Sequence, residues 1–185
     1  MQAPDVGGWR WRTVLRLVWS LLGAAAGLGT ALALAGPPTS PFLLASLGGS
    51  TVFLFGLTRA PAAQPRALMG GHLGAAAIGM VCGQWFGDAV WVYALAQAIT
   101  LGFMLLSGTL HPPAGANALI MIHTHADAAA LWMPVVVGVA SLACVAIVWS
   151  RLGAYWFDEQ TPYPARWMDR SPPSPLWGVT HEKEC

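Results

Sequence analysis

Six apolar stretches set the possibilities for this chain: Val14–Ala35, Pro41–Leu57, Leu68–Phe86, Ala89–Leu106, Pro112–His123 and Leu131–Trp149. The first has 22 residues and no charge beyond Arg16 near its start, enough for about 33 Å of helix, the hydrocarbon thickness of a bilayer. The second, at 17 residues, is at the short limit for a crossing, and the fifth, at 12, makes only about 18 Å of helix. Water is a poor solvent for such a chain. Of its 185 residues 56% are hydrophobic and 9% charged, against about 25% charged in soluble domains. Eight acids and nine bases cannot cover a globule of this size. The expected fold is therefore all-α, a polytopic helical membrane protein with about six membrane segments, two of them short or broken. A net charge of +1 provides no basic field for nucleic acid.

The chain divides into an N-terminal segment at 1–13, a transmembrane domain at 14–150 and a Pro-rich polar tail at 151–185. All nine bases fall in three places: Arg10, Arg12 and Arg16; Arg59 and Arg66; Arg151, Arg166, Arg170 and Lys183. Six crossings put all of them on one side, whereas five or four would not. The bias of Lys and Arg toward the cytoplasm then predicts both termini inside. Arg10, Arg12 and Arg16 ahead of a run ending Ala33-Leu34-Ala35 have the outline of a secretory signal. The run is longer than a signal core and more membrane segments follow, so it is read as the first crossing. Trp19, Trp85, Trp91, Trp132 and Trp149 lie near segment ends, where amphipathic rings sit at the headgroup level. Gly23, Gly27, Gly70, Gly71, Gly74, Gly79 and Gly83 are expected to let helix backbones approach closely. Cys82, Cys144 and Cys185 have no ligand or disulfide spacing.

The most distinctive string is Leu110-His111-Pro112-Pro113-Ala114-Gly115-Ala116-Asn117-Ala118-Leu119-Ile120. Two prolines break a continuous helix but suit a first turn, so a helix restarts near Pro112 after a break at Ser107–His111. Unwound backbone at membrane depth must be buried in protein or line a wet cavity. The string resembles the signature of the HPP family of integral membrane proteins. Ser40–Phe55, Ala63–Ala76, His111–Ile120 and Tyr163–Trp167 look like that family's blocks, in its order, over most of the chain. The resemblance implies a membrane protein usually described with four spans, and a nitrite-transport activity associated with plastid and cyanobacterial relatives.

A second Pro-started stretch follows Thr39-Ser40-Pro41, and its Ala45–Ser50 echoes Pro112–Asn117. Each lies between longer apolar helices, so the chain reads as two copies of helix, short helix, helix, which three crossings apiece would invert. Helix starts inside a membrane carry positive dipole ends. No Arg or Lys lies in the middle of any segment, so dipoles and neutral donors are the available means of holding a small anion. The expected substrate-binding residues are His111, Pro112, Pro113, Gly115, Asn117, Ser46, Gly48, Ser50 and Thr51, with Gly exposing backbone and the hydroxyls and amide donating. His72 and His111 are candidates for proton coupling, since intramembrane histidines are costly unless functional or paired. His123 and His125 read as a solvated loop; Gln84, Gln97 and Thr100 as interhelical hydrogen-bonders.

Together these features predict a permease for a small anion, nitrite first, in a bacterial inner membrane, with no cofactor, no metal site and no nucleic-acid partner. It is not expected to be an enzyme, because nothing marks a nucleophile. An oligomer is expected, because six short helices enclose little volume. The competing readings are a non-transporting assembly or regulatory protein and, through His72 and His111, a membrane haem protein.

Overall fold

The computed structural model describes residues 11–35 and 41–157. The Thr39–Ser40 cap, the Tyr163–Trp167 block, Cys185 and the tail beyond residue 157 lie outside the described residues. Among those described there is no strand. Helix α1 is Trp11–Ala35; α2 is Pro41–Thr51, running on as a π-helical turn, Val52–Gly56; α3 is Pro65–Phe86; α4 is Val90–Ser107; and α5 is Gly115–His123. Helix α6 joins Ala128–Ala130, a π-helical stretch Leu131–Val137 and Gly138–Phe157 end to end.

Three of the six runs are long and apolar enough to cross a membrane alone: Thr13–Ala35, Val90–Ser107 and Leu131–Phe157. Helix α3 has the length, 22 residues, but gives its apolar character over to glycines and His72. Helices α2 and α5 are short, as their prolines predicted. The helices overrun both expected domain boundaries, starting at Trp11 and ending at Phe157. Trp11, Tyr155 and Trp156 are exposed in those end turns, where rings that tolerate both lipid and water let a helix continue past its last apolar turn.

Lipid is the solvent that the surface demands. Val90 and Leu106 stand 87% and 92% exposed, and Leu21, Leu22 and Leu34 of α1 are also outward. In water this apolar surface would be a patch far beyond what a soluble monomer shows. Trp85, Trp91 and Trp132 are exposed at the end where α3 meets α4 and α6 begins, as an interfacial belt requires. Trp19 and Trp149 differ from expectation. They are half-buried and stacked on each other at 4.5 Å, and Trp149 Nε1 donates to the Trp19 carbonyl at 3.0 Å. They fasten α1 to α6.

The described arginines gather at one end. Arg16 reaches the Phe157 carbonyl at 3.5 Å, Arg66 donates to the Ser107 carbonyl at 2.7 Å, Arg59 follows α2, and Arg151 lies in the last turns of α6. Asp88 and His125 meet at 3.7 Å at the opposite end, both exposed, so the two residues belong to surface turns.

Two glycine positions let α3 reach its neighbours. A Cβ on Gly79 would lie against the Ala118 carbonyl and 2.6 Å from its Cα, so the α3 and α5 backbones touch there. A Cβ on Gly71 would sit 3.0 Å from the Thr109 carbonyl oxygen and 3.1 Å from His111 Cβ. Gly108, at φ 65°, ends α4 in the left-handed conformation that favours glycine. That turn releases Thr109-Leu110-His111 as non-helical chain running back into the bundle.

Candidate functional site

Ser46 and Ser50 lie one turn apart on α2 and share a face. His72 lies on α3, seven residues after its starting proline; His111 ends the unwound stretch; Asn117 is the third residue of α5. All five are buried, His111 and Ser50 completely. Gly49 makes the meeting possible, since a Cβ on it would be 3.0 Å from Pro113 Cβ. Helix α2 therefore lies directly on the start of α5.

One hydroxyl joins the two histidines. Ser50 Oγ is 2.9 Å from His72 Nε2 and 2.9 Å from His111 Nε2, with the ring centroids 5.2 Å apart. On the far side, His111 Nδ1 is 2.6 Å from the Ala62 carbonyl oxygen, and the amide nitrogen of Asn117 is 2.9 Å from His72 Nδ1. Ser46 donates to the Pro113 carbonyl at 3.1 Å. The Phe53 ring stands edge-on to His111 at 5.4 Å.

The direction of each bond follows from what each atom can do. A carbonyl only accepts, so His111 carries its proton on Nδ1 and presents a lone pair at Nε2. The Asn117 amide donates to His72 Nδ1, so neutral His72 carries its proton on Nε2 and donates to Ser50. Ser50 then donates onward to His111. The result is a one-way chain, Asn117 to His72 to Ser50 to His111 to the Ala62 carbonyl. Ser50 Oγ also lies 2.9 Å from the Ser46 carbonyl, a second acceptor for the same hydrogen. The Asn117 amide nitrogen also donates to the His72 carbonyl at 3.4 Å, and turning the amide over would set its oxygen against that carbonyl, so this contact fixes the amide.

This chain sorts the chemistry open to the site. Ser50, His72 and Asn117 have the distances of a nucleophile, base and orienting residue. In the proton arrangement above, however, His72 Nε2 donates to Ser50 and does not accept from it. Nor do the histidines straddle a space for a porphyrin, since both Nε2 atoms converge on a single oxygen. Among the described residues no three His, Cys, Asp or Glu side chains gather as a metal site.

The geometry accompanies a clear relationship. A family model described as HPP, transmembrane region, matches residues 11–161. The chain belongs to the HPP family. Two transmembrane proteins of Dictyostelium discoideum are similar to it, one 40% identical over 84 residues, covering 43% of this chain and 30% of that protein. The other is 30% identical over 134 residues, covering 68% of this chain and 42% of that protein. The HPP chain thus spans less than half the length of these curated relatives. No solved structure matches it.

Of the expected site residues in this HPP protein, Ser46, Ser50, His111 and Asn117 converge, with His72 at their centre. Pro113 contributes its carbonyl. The others supply no atom to the network. Pro112 is exposed, and a Cβ on Gly48 would meet open space. Thr51 donates to the Gly48 carbonyl of its own helix at 2.6 Å, and a Cβ on buried Gly115 would face Gln97 instead, 3.1 Å from its Nε2. The start of α5 also lacks the free N–H groups expected of it. Its prolines have none, the Ala114 N–H bonds the His111 carbonyl at 3.0 Å, and the Gly115 N–H turns back to Pro112 and Pro113. Thr100 is buried with its hydroxyl unpaired, whereas Gln84 and Gln97 are exposed, so these three do not knit helices together as expected. The Ala62 carbonyl and the Phe53 ring were not among the expected site groups. The Pro61–Pro65 bracket around a short 3-10 turn was the signal for an ordered carbonyl there.

Proposed function

We propose that this HPP-family chain is a permease for a small inorganic anion, nitrite foremost, in a bacterial inner membrane with both termini cytoplasmic. The observation that carries the reading is the Ser50-centred cluster: five buried polar side chains from α2, α3, α5 and the unwound chain ahead of α5, in an otherwise apolar membrane domain. Polar groups inside a membrane are costly, and their usual use is a pathway for a polar solute. The unwound chain at Thr109–His111 supports the same reading, because irregular backbone at that depth belongs beside a pathway or buried in protein. We read the two halves as inverted repeats, supported by α1 packing along α6 as α4 packs along α3, although the extensive α3–α5 contact has only a slight counterpart between α6 and α2. The chain acts as a transporter and not as an enzyme, through its own side chains, and works as an oligomer.

Nitrite uptake into vesicles reconstituted with the full chain, with and without a pH gradient, tests this. Uptake above protein-free vesicles is expected, and its loss in the His111→Ala, Asn117→Ala double variant. Equal uptake by wild type, double variant and empty vesicles sinks the permease reading. A protein that neither transports nitrite nor is thermally stabilised by it belongs to the alternative class of assembly or regulatory factors.

A further inference from the structure

The hydrogen-bonding capacity left over at the buried cluster is all of one kind. Each side-chain donor is spent inside the protein: Ser46 on the Pro113 carbonyl, Ser50 on His111 or the Ser46 carbonyl, and His111 on the Ala62 carbonyl. His72 spends its proton on Ser50, and Asn117 spends its amide hydrogens on His72, at Nδ1 (2.9 Å) and at the carbonyl (3.4 Å). Backbone N–H groups at the start of α5 are missing or engaged. What remains is an acceptor. Asn117 Oδ1 is buried, on a residue 1% exposed, and has no partner.

A bare anion needs the opposite of this. Buried without donors or a counter-charge, it would be strongly disfavoured. The arginines whose side chains are described do not supply that charge: Arg66 is turned to Ser107, Arg16 to Phe157, and Arg59 and Arg151 are exposed at the end of the bundle. The described acids, Asp88 and Asp127, are exposed. The groups facing the cluster that can titrate are therefore His72 from α3 and His111 ahead of α5; α2 and α5 add only hydroxyls and an amide.

We propose that the solute bound at this cluster is the neutral conjugate acid of a weak oxyacid, its O–H donated to Asn117 Oδ1, so that each anion crosses together with one proton. This rests on the permease reading and specifies the form of its substrate. The proton arrives on the solute and leaves on it, so the site needs no net charge at any stage. For nitrite the species is nitrous acid. Nitrate, the anion of a strong acid, lacks a comparable neutral form near neutral pH and is excluded for that reason.

The test uses the full wild-type chain in vesicles holding a pH dye, with the membrane potential set by potassium and valinomycin. Rates are taken above those of protein-free vesicles, because nitrous acid itself leaks through lipid. Nitrite uptake is expected to acidify the lumen by one proton per nitrite, to be unchanged by an imposed potential of either sign, and to have no nitrate counterpart. Protein-dependent nitrite flux that follows the potential and leaves luminal pH unchanged, or nitrate carried as fast as nitrite, overturns this proposal and leaves the permease standing. Absence of any protein-dependent flux overturns both.

Discussion

At the scale of single residues, Ser50 has the most to lose. It accepts from His72 and donates to His111, and among the described residues no other group bonds either Nε2. Ser50→Ala strands a buried donor and a buried acceptor, which costs about 1–3 kcal/mol for each group left unmade. A clearly lower melting temperature in detergent is expected, together with reduced nitrite uptake, while Ser50→Thr restores both by returning a hydroxyl. If Ser50→Ala melts with the wild type, the bridge does not exist. The histidines follow the same logic. His111 is held on both faces, by Ala62 and Ser50, so a His111→Gln variant that satisfied only one would bind less well than it folds.

At the scale of elements, the contacts that matter are those where backbones touch. Gly79 meets the backbone of Ala118, which cannot rotate away as a side chain could. Gly79→Val should force α3 from α5 and cost more than the usual 1–3 kcal/mol of overpacking, read as aggregation or loss of the monodisperse peak on size exclusion. Gly48→Ala is the control, because its Cβ meets open space. Removing a helical glycine there should stabilise by about 0.5–1 kcal/mol, unless a second copy of the chain covers that face. On the other side of the bundle, Trp149→Ala removes the stack on Trp19 and a hydrogen bond to its carbonyl. A loss of roughly 2–4 kcal/mol is expected for a half-buried Trp, with α1 becoming more accessible to protease.

At the scale of the whole molecule, the six helices alternate so that Arg16, Arg59, Arg66 and Arg151 share one end and Asp88 and Asp127 the other. With Cys82, Cys144 and Cys185 replaced, single cysteines at Arg59→Cys and Asp88→Cys should label from opposite faces of intact cells, Asp88→Cys from outside. Labelling of both from one side would remove the six-crossing arrangement. Extraction should require detergent, since the exposed Leu and Val of α1 and α4 have no place in water.

Much of this was decided by residue order alone. Apolar run length and the rarity of charge determined an all-helical membrane protein with short second and fifth segments, because the cost of exposing polar backbone to lipid depends on local composition and length. Ser46, Ser50, His72, His111 and Asn117 could be picked out singly, as polar residues within apolar runs. Their convergence could not, because hydrogen-bond partners separated by 22, 45 and 61 positions are set by how α2, α3 and α5 pack. Tertiary structure also decided which of the candidates face away, as Gly48 and Pro112 do. It turned Trp19 and Trp149 into a clasp, since on a helix a residue's neighbours depend on azimuth as well as depth. Above all, the supply of donors and acceptors at the site is a sum over three helices and a carbonyl from a loop. No single segment contains it.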